Sequence, residues 1–137
     1  MASVGTWLAM CRSEHLVPLE ALASQLEQDP DITPGIDGDL LVLTVQDPLT
    51  GRTATINIGI SRAPHVVLEA QELAELQVPG VPPGALAACS ARYEILYDLE
   101  ASDELTNPLL LLGQLLGQLS GAIVFDAFNG TFPFDEP

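Results

Sequence analysis

The chain has 137 residues, with four arginines, no lysine and 19 acidic residues, so its formal net charge is −15. Nucleic acids and anionic membranes are bound chiefly through Lys and Arg that displace counterions, and four scattered arginines argue against both as direct partners. Disorder is disfavoured too: 47% of the residues are hydrophobic and 23 are leucine, enough apolar surface to bury a core.

The length fits one domain spanning residues 1–137. Cys11 and Cys89 lie in the apolar stretches LAMCR and LAACS and read as buried free thiols of a reducing cytosol. The N-terminus has no basic residue before Arg12 and no long apolar run, so the features of a secretory leader are missing. Leu8 to Cys11 has the outline of a lipoprotein cleavage box, but Met10 is too large for it. Residues 105–125 carry no charge, yet Asn107, Pro108, Gln114, Gln118 and the Ser120-Gly121 pair interrupt them, and acidic residues flank both ends. They read as a buried helix and strand, not a membrane span. The expected location is the cytoplasm.

Residues 1–17 carry the weakest signal, with Trp7, Leu8 and Met10 suggesting a helical segment within 3–14. A helix is predicted over 18–28, with Pro18 in its first turn and Leu19, Leu22 and Leu26 on one face. The Pro, Gly and Asp of DPDITPGIDGD (29–39) predict a loop. LLVLTVQ and RTATINIGI flank the turn DPLTG and predict a β-hairpin. Its second strand alternates Thr53, Thr55 and Asn57 with Ala54, Ile56 and Ile58, while its nearly all-apolar first strand is expected deeper in the sheet.

Pro64 opens a helix to about residue 76, with Val66, Ala70, Leu73 and Leu76 on one stripe and Glu69, Glu72 and Glu75 in a row beside it. Such a row costs helix stability unless a partner offsets it. VPGVPPG (78–84) is an internal loop. ARYEILYDLE (91–100) alternates as a strand, and after an acidic loop Asn107 and Pro108 are expected to start a leucine-rich helix ending near Ser120-Gly121. Gly113 and Gly117 are spaced for close packing, on the sheet or in a homodimer. AIVFDAF, Asn129-Gly130 and TFPF predict a second hairpin with a type I′ turn. Both hairpins share an aspartate, two residues, Thr or Asn, then Gly, which convergent turn chemistry explains as well as a repeat does. These elements predict an α+β fold: a single-domain, two-layer sandwich of mostly antiparallel sheet, two hairpins plus a central strand, with about three helices on one face and room for ferredoxin-like crossovers.

Little points to catalysis. His15 and His65 are the two histidines and neither belongs to a recognisable triad signature. The Cys and His spacing does not suit zinc, no phosphate-binding glycine loop occurs, and DLEASDE lacks the regular ligand spacing of a calcium loop. The reading is therefore a non-enzyme without metal or cofactor.

The charge points instead to a basic protein partner, since a field of this size steers association. The expectation is an acidic inhibitor, in concrete terms a bacterial immunity protein blocking the cleft of a nuclease-like toxin. The expected contact residues are Glu69, Glu72, Glu75, Asp98, Glu100, Asp103 and Glu104. The alternative is an adaptor or chaperone of a secretion or phage-like assembly, self-associating through the leucine-rich helix around Gly113 and Gly117, and an enzyme of unrecognised type is the third. The aspartates at 29, 31, 37, 39 and 47 read as local turn formers with no call on a partner.

Overall fold

A computed structural model describes residues 4–134, apart from the side chain of Ser102. Within VGTWLAMC, Gly5, Trp7, Ala9 and Cys11 fall on one side and Thr6, Leu8 and Met10 on the other, the period of two that defines a strand. This segment is strand β1 (Val4–Cys11), not the helix expected there. It runs between β5 (Ala91–Asp98) and β6 (Ile123–Asp126), antiparallel to both, so its backbone groups are satisfied from either side.

The loop expected over 29–39 also contains a strand, β2 (Ile32–Asp37). Its register sets Ile32, Pro34 and Ile36 opposite Val45, Leu43 and Leu41 of β3 (Leu40–Gln46). Pro34 is accepted because β2 is an edge strand, where a missing N–H costs no ladder bond. The β3 to β4 (Thr53–Ser61) hairpin forms as expected, although β3 is not buried on both faces: Leu41, Leu43 and Val45 are in the core while Leu40 and Thr44 are exposed.

The six strands run in the order β2-β3-β4-β5-β1-β6, every pairing antiparallel, which with the helices makes one small α+β domain. Helix α2 (Pro64–Glu75) joins β4 to its antiparallel neighbour β5, so it does not make the parallel crossover of a ferredoxin-like unit.

The helices also occupy both faces rather than one. On the main face, Leu22 and Leu26 of α1 (Leu19–Leu26) and Leu105, Leu109, Leu112 and Leu116 of α4 (Ser102–Ser120) cover Trp7, Ile56, Ile58, Tyr93 and Ile95. On the other, α2 and the short α3 (Pro83–Ala87) enclose a smaller cluster around Met10, Ala70, Leu86 and Phe132.

Helix α4 starts before Pro108, which lies inside it, because its buried leucine stripe reaches back one turn to Leu105. It ends at Gly121, whose φ of 62° is the left-handed conformation glycine tolerates best. Gly113 packs under the ring of Phe134, which would overlap a Cβ at that position. At Gly113 the expected close approach is thus made to the chain's own C-terminal segment, whereas Gly117 is exposed. Tyr93 is fully buried and ties three segments together: its hydroxyl accepts from the Val17 N–H (2.7 Å), donates to the Val17 carbonyl (3.0 Å) and lies 3.1 Å from Ser120 Oγ.

The two turns singled out by their shared pattern are built alike. Asp47 accepts the Leu49 N–H (3.0 Å) and the Thr50 hydroxyl (3.0 Å), and its carbonyl accepts from Gly51 (2.8 Å). Asp126 accepts the N–H groups of Phe128 (3.0 Å) and Asn129 (3.0 Å), and its carbonyl accepts from Gly130 (2.8 Å). In both turns the glycine is left-handed. Asn129 is not, so the second turn is no type I′ hairpin, and its ladder shrinks to one bridge between Asp126 and Thr131.

Candidate partner-binding surfaces

Three chain segments meet at one end of the main face. The α1–β2 loop contributes Asp29 and Asp31, the β3–β4 turn Asp47, and the first turn of α4 Asp103 and Glu104. These five carboxylates line a cleft of about 480 Å3 whose floor is the buried pair Ile32 and Val45, with Pro108 and the exposed Leu111 on its α4 side. Leu49, 93% exposed at the turn's tip, overhangs it. The guanidinium of Arg52 stands at the edge, 3.5 Å from Glu104 and itself largely in water. Such a contact contributes at most about 1 kcal/mol and leaves the cleft acidic. Asp29 and Leu111 also line an adjoining hollow of mixed polarity with Gln25, Leu26, Gln28 and Leu115.

The aspartates keep the local roles their turn positions imply: Asp29 accepts the Asp31 N–H (2.9 Å), and Asp47 organises its turn. The fold nevertheless brings them to the same cleft as Asp103 and Glu104, residues 56 to 75 positions away in sequence. No sequence signal joins these segments. Their meeting depends on the β2–β3 register, in a stretch that reads as loop.

The seven residues expected to contact a partner do not form one patch. Asp103 and Glu104 line the cleft just described. Asp98 accepts the Glu100 N–H (2.9 Å) and holds the 3-10 turn Leu99–Ala101, and both side chains are exposed outside the cleft. Glu69 and Glu72 lie on the opposite face of the sheet, beside a groove lined by Leu8, Leu73, Leu76 and Phe125, and Glu75 is exposed farther along α2.

Glu69 has the partner that the like-charged row required. Arg92, only 6% exposed on the α2 side of β5, pairs with Glu69 through Nη1 and with Glu94 through Nε (3.0 Å) and Nη2 (2.8 Å). Nη2 also donates toward His65 Nε2 at 3.3 Å, which assigns that nitrogen as the acceptor. The clamp pins the N-terminal half of α2 to the sheet. Alternation in β5 places Arg92 off the main face, but only the tertiary structure shows it buried under α2.

Both cysteines are buried, and burial pushes each thiol up to about 11 from an ordinary 9.0. Neither is a nucleophile at neutral pH, because only the thiolate attacks. The folded chain at pH 8 should therefore react negligibly with a thiol reagent such as Ellman's, and denaturant should release two equivalents. Because the unfolded thiols ionise first as pH rises, folded stability from this source is complete below pH 9 and lost toward pH 11. Rapid native-state labelling, or stability rising over pH 9–11, would contradict the burial. Burial likewise raises the Tyr97 hydroxyl, with the Asp126 charge adding to the shift.

Among the described residues no group of three or more His, Cys, Asp or Glu is placed to hold a metal ion, and no helix is long and apolar enough to cross a membrane. No family model, curated protein or solved structure matches the chain.

Proposed function

We propose that this protein works by binding a basic protein partner through the cleft between the α1–β2 loop, the β3–β4 turn and α4. The observation that carries this reading is the convergence there of five carboxylates from three distant segments over an apolar floor. Carboxylates in this setting accept hydrogen bonds from Arg and Lys, and the surrounding field of −15 accelerates encounter with a cationic surface. The role that best suits these properties is that of a bacterial immunity protein. The acidic cleft and the projecting Leu49 would occupy the substrate site of a nuclease-like toxin, with carboxylates in place of phosphates.

The test uses the product of a toxin-like gene beside this one, titrated by calorimetry with the full chain between 50 and 300 mM NaCl. The Kd should rise steeply with salt, and Asp103→Asn with Glu104→Gln should weaken binding about tenfold, which corresponds to about 1.4 kcal/mol. A salt-independent Kd, or one unmoved by the double substitution, would sink the proposal.

A second reading is favoured by one observation: Leu110, Leu111 and Leu119 of α4 are exposed. Self-association through that helix would suit an adaptor. Light scattering at micromolar concentration decides between them, a monomer supporting the inhibitor and a dimer abolished by Leu110→Gln supporting the adaptor.

A further inference from the structure

The sheet face opposite the acidic cleft has its own unfilled feature. Leu8 of β1 and Phe125 of β6 are cross-strand partners whose side chains stand beside α2, and with Leu73 and Leu76 they line a groove of about 320 Å3. Phe125 is held in place by Phe132, ring centroids 5.0 Å apart, and α2 by the Arg92 clamp, so the groove walls are fixed from both sides. Leu76 is 64% exposed at the mouth, a large apolar side chain in the stripe that the sequence assigns to the buried face of the helix. Glu69 and Glu72 line the same groove, and Glu75 follows on the next turn.

Apolar floor and anionic rim together define the occupant. A second copy of this chain would oppose Glu72 and Glu75 to their own counterparts, and of its four arginines Arg92 is already buried in the clamp with Glu69. Like charges facing across a contact disfavour that pairing. A segment with leucine-type side chains on one side and Arg or Lys on the other satisfies both features. The groove residues of α2 run from Glu69 to Leu76, about 10 Å along the helix axis, so a parallel or antiparallel helix of about two turns matches the length of the groove wall.

We infer that the groove between α2 and the β1–β6 pair is a second docking site, and that it takes a cationic amphipathic helix from a partner protein. The inference is independent of the reading given to the α4 cleft, which lies on the other face of the sheet. Two docking faces would let the protein hold two segments, of one partner or of two, at once.

The probe is a synthetic 12-residue peptide with leucines at positions 1, 4, 5 and 8 and five arginines, added to the 15N-labelled full chain in 150 mM NaCl. A control peptide carries serine in place of each leucine. The expected result is saturable amide shifts at Leu8, Leu73, Leu76 and Phe125 with the amphipathic peptide and none there with the control. Leu76→Ser, at an exposed position that leaves the rest of the spectrum unchanged, should weaken binding about tenfold, and Glu72→Gln with Glu75→Gln about three- to tenfold. Equal shifts from both peptides, shifts confined to the α4 cleft, or an unchanged Kd for Leu76→Ser would overturn the inference. So would groove shifts that depend on protein concentration alone, since those would make a second copy the occupant. Failure here leaves the Asp103 and Glu104 test untouched, and failure there leaves this one untouched.

Discussion

Leu112→Ala is expected to lower the unfolding free energy by about 3 kcal/mol, whereas Leu110→Ala two positions earlier on α4 should cost under about 1 kcal/mol. The chemistry of the two changes is identical and the difference lies in the helix face. Leu112 is fully buried in the main core, where truncation loses the transfer energy of the side chain and leaves a cavity between helix and sheet. Leu110 is 39% exposed, and the better helix propensity of alanine offsets part of what it loses. For a chain of this size the core change corresponds to a drop in Tm of about 10 °C. Trp7 is the only tryptophan and is packed edge-on against Tyr97 and Phe134, so its fluorescence reports the transition directly. Equal losses for the two variants in urea, at unchanged m-value, would mean that α4 does not present the stripe Leu105, Leu109, Leu112 and Leu116 to the sheet.

Arg92→Met should destabilise the fold by about 2 kcal/mol and do so unevenly. Removing one partner of a fully buried ion pair costs about 3–5 kcal/mol because the remaining charge is stranded. Here the side chains of Glu69 and Glu94 keep 44% and 40% of their exposure, so both carboxylates rehydrate in part and the loss is smaller. The diagnostic measurement adds Glu69→Gln and Glu94→Gln to the Arg92→Met background. With the charges gone, most of the lost stability should return, leaving the triple variant within about 1 kcal/mol of the parent. Amide exchange should quicken along α2 in the single variant while α4 stays protected, because the smaller cluster around Met10 then holds the helix alone. An unchanged midpoint for Arg92→Met would show that the clamp is incidental and that apolar packing suffices to seat α2.

Much of the local structure was legible in the residues. The hairpin at DPLTG, the strand over ARYEILYD, the two amphipathic helices opened by Pro18 and Pro64 and the glycine stop at Gly121 all appear where pattern and turn chemistry set them. Where the structure departs from the residue pattern, the reasons are identifiable. VGTWLAMC contains residues common in helices, and its alternation acquires meaning only when β5 and β6 pair with it on either side. ITPGID reads as loop because proline and glycine are poor in central strands, and the penalty vanishes at an edge. Pro108 reads as a helix start, but Leu105 is also buried and the helix begins at Ser102, six residues earlier.

The same division holds for function. Length and an apolar content of 47% point by themselves to a chain that folds, and the absence of lysine with a charge of −15 raises the expectation of a cationic partner on which the proposal above rests, because these properties depend on composition and not on arrangement. Which carboxylates could act together was decided only by the tertiary structure. Glu69 is engaged by a buried arginine, and Asp98 holds a turn by accepting the Glu100 N–H, whereas Asp29, Asp31 and Asp47, which read as purely local, line one cleft with Asp103 and Glu104. The physical reason is that electrostatic and apolar contacts act over a few ångströms in space, and an antiparallel sheet brings together residues that its connecting segments hold far apart along the chain.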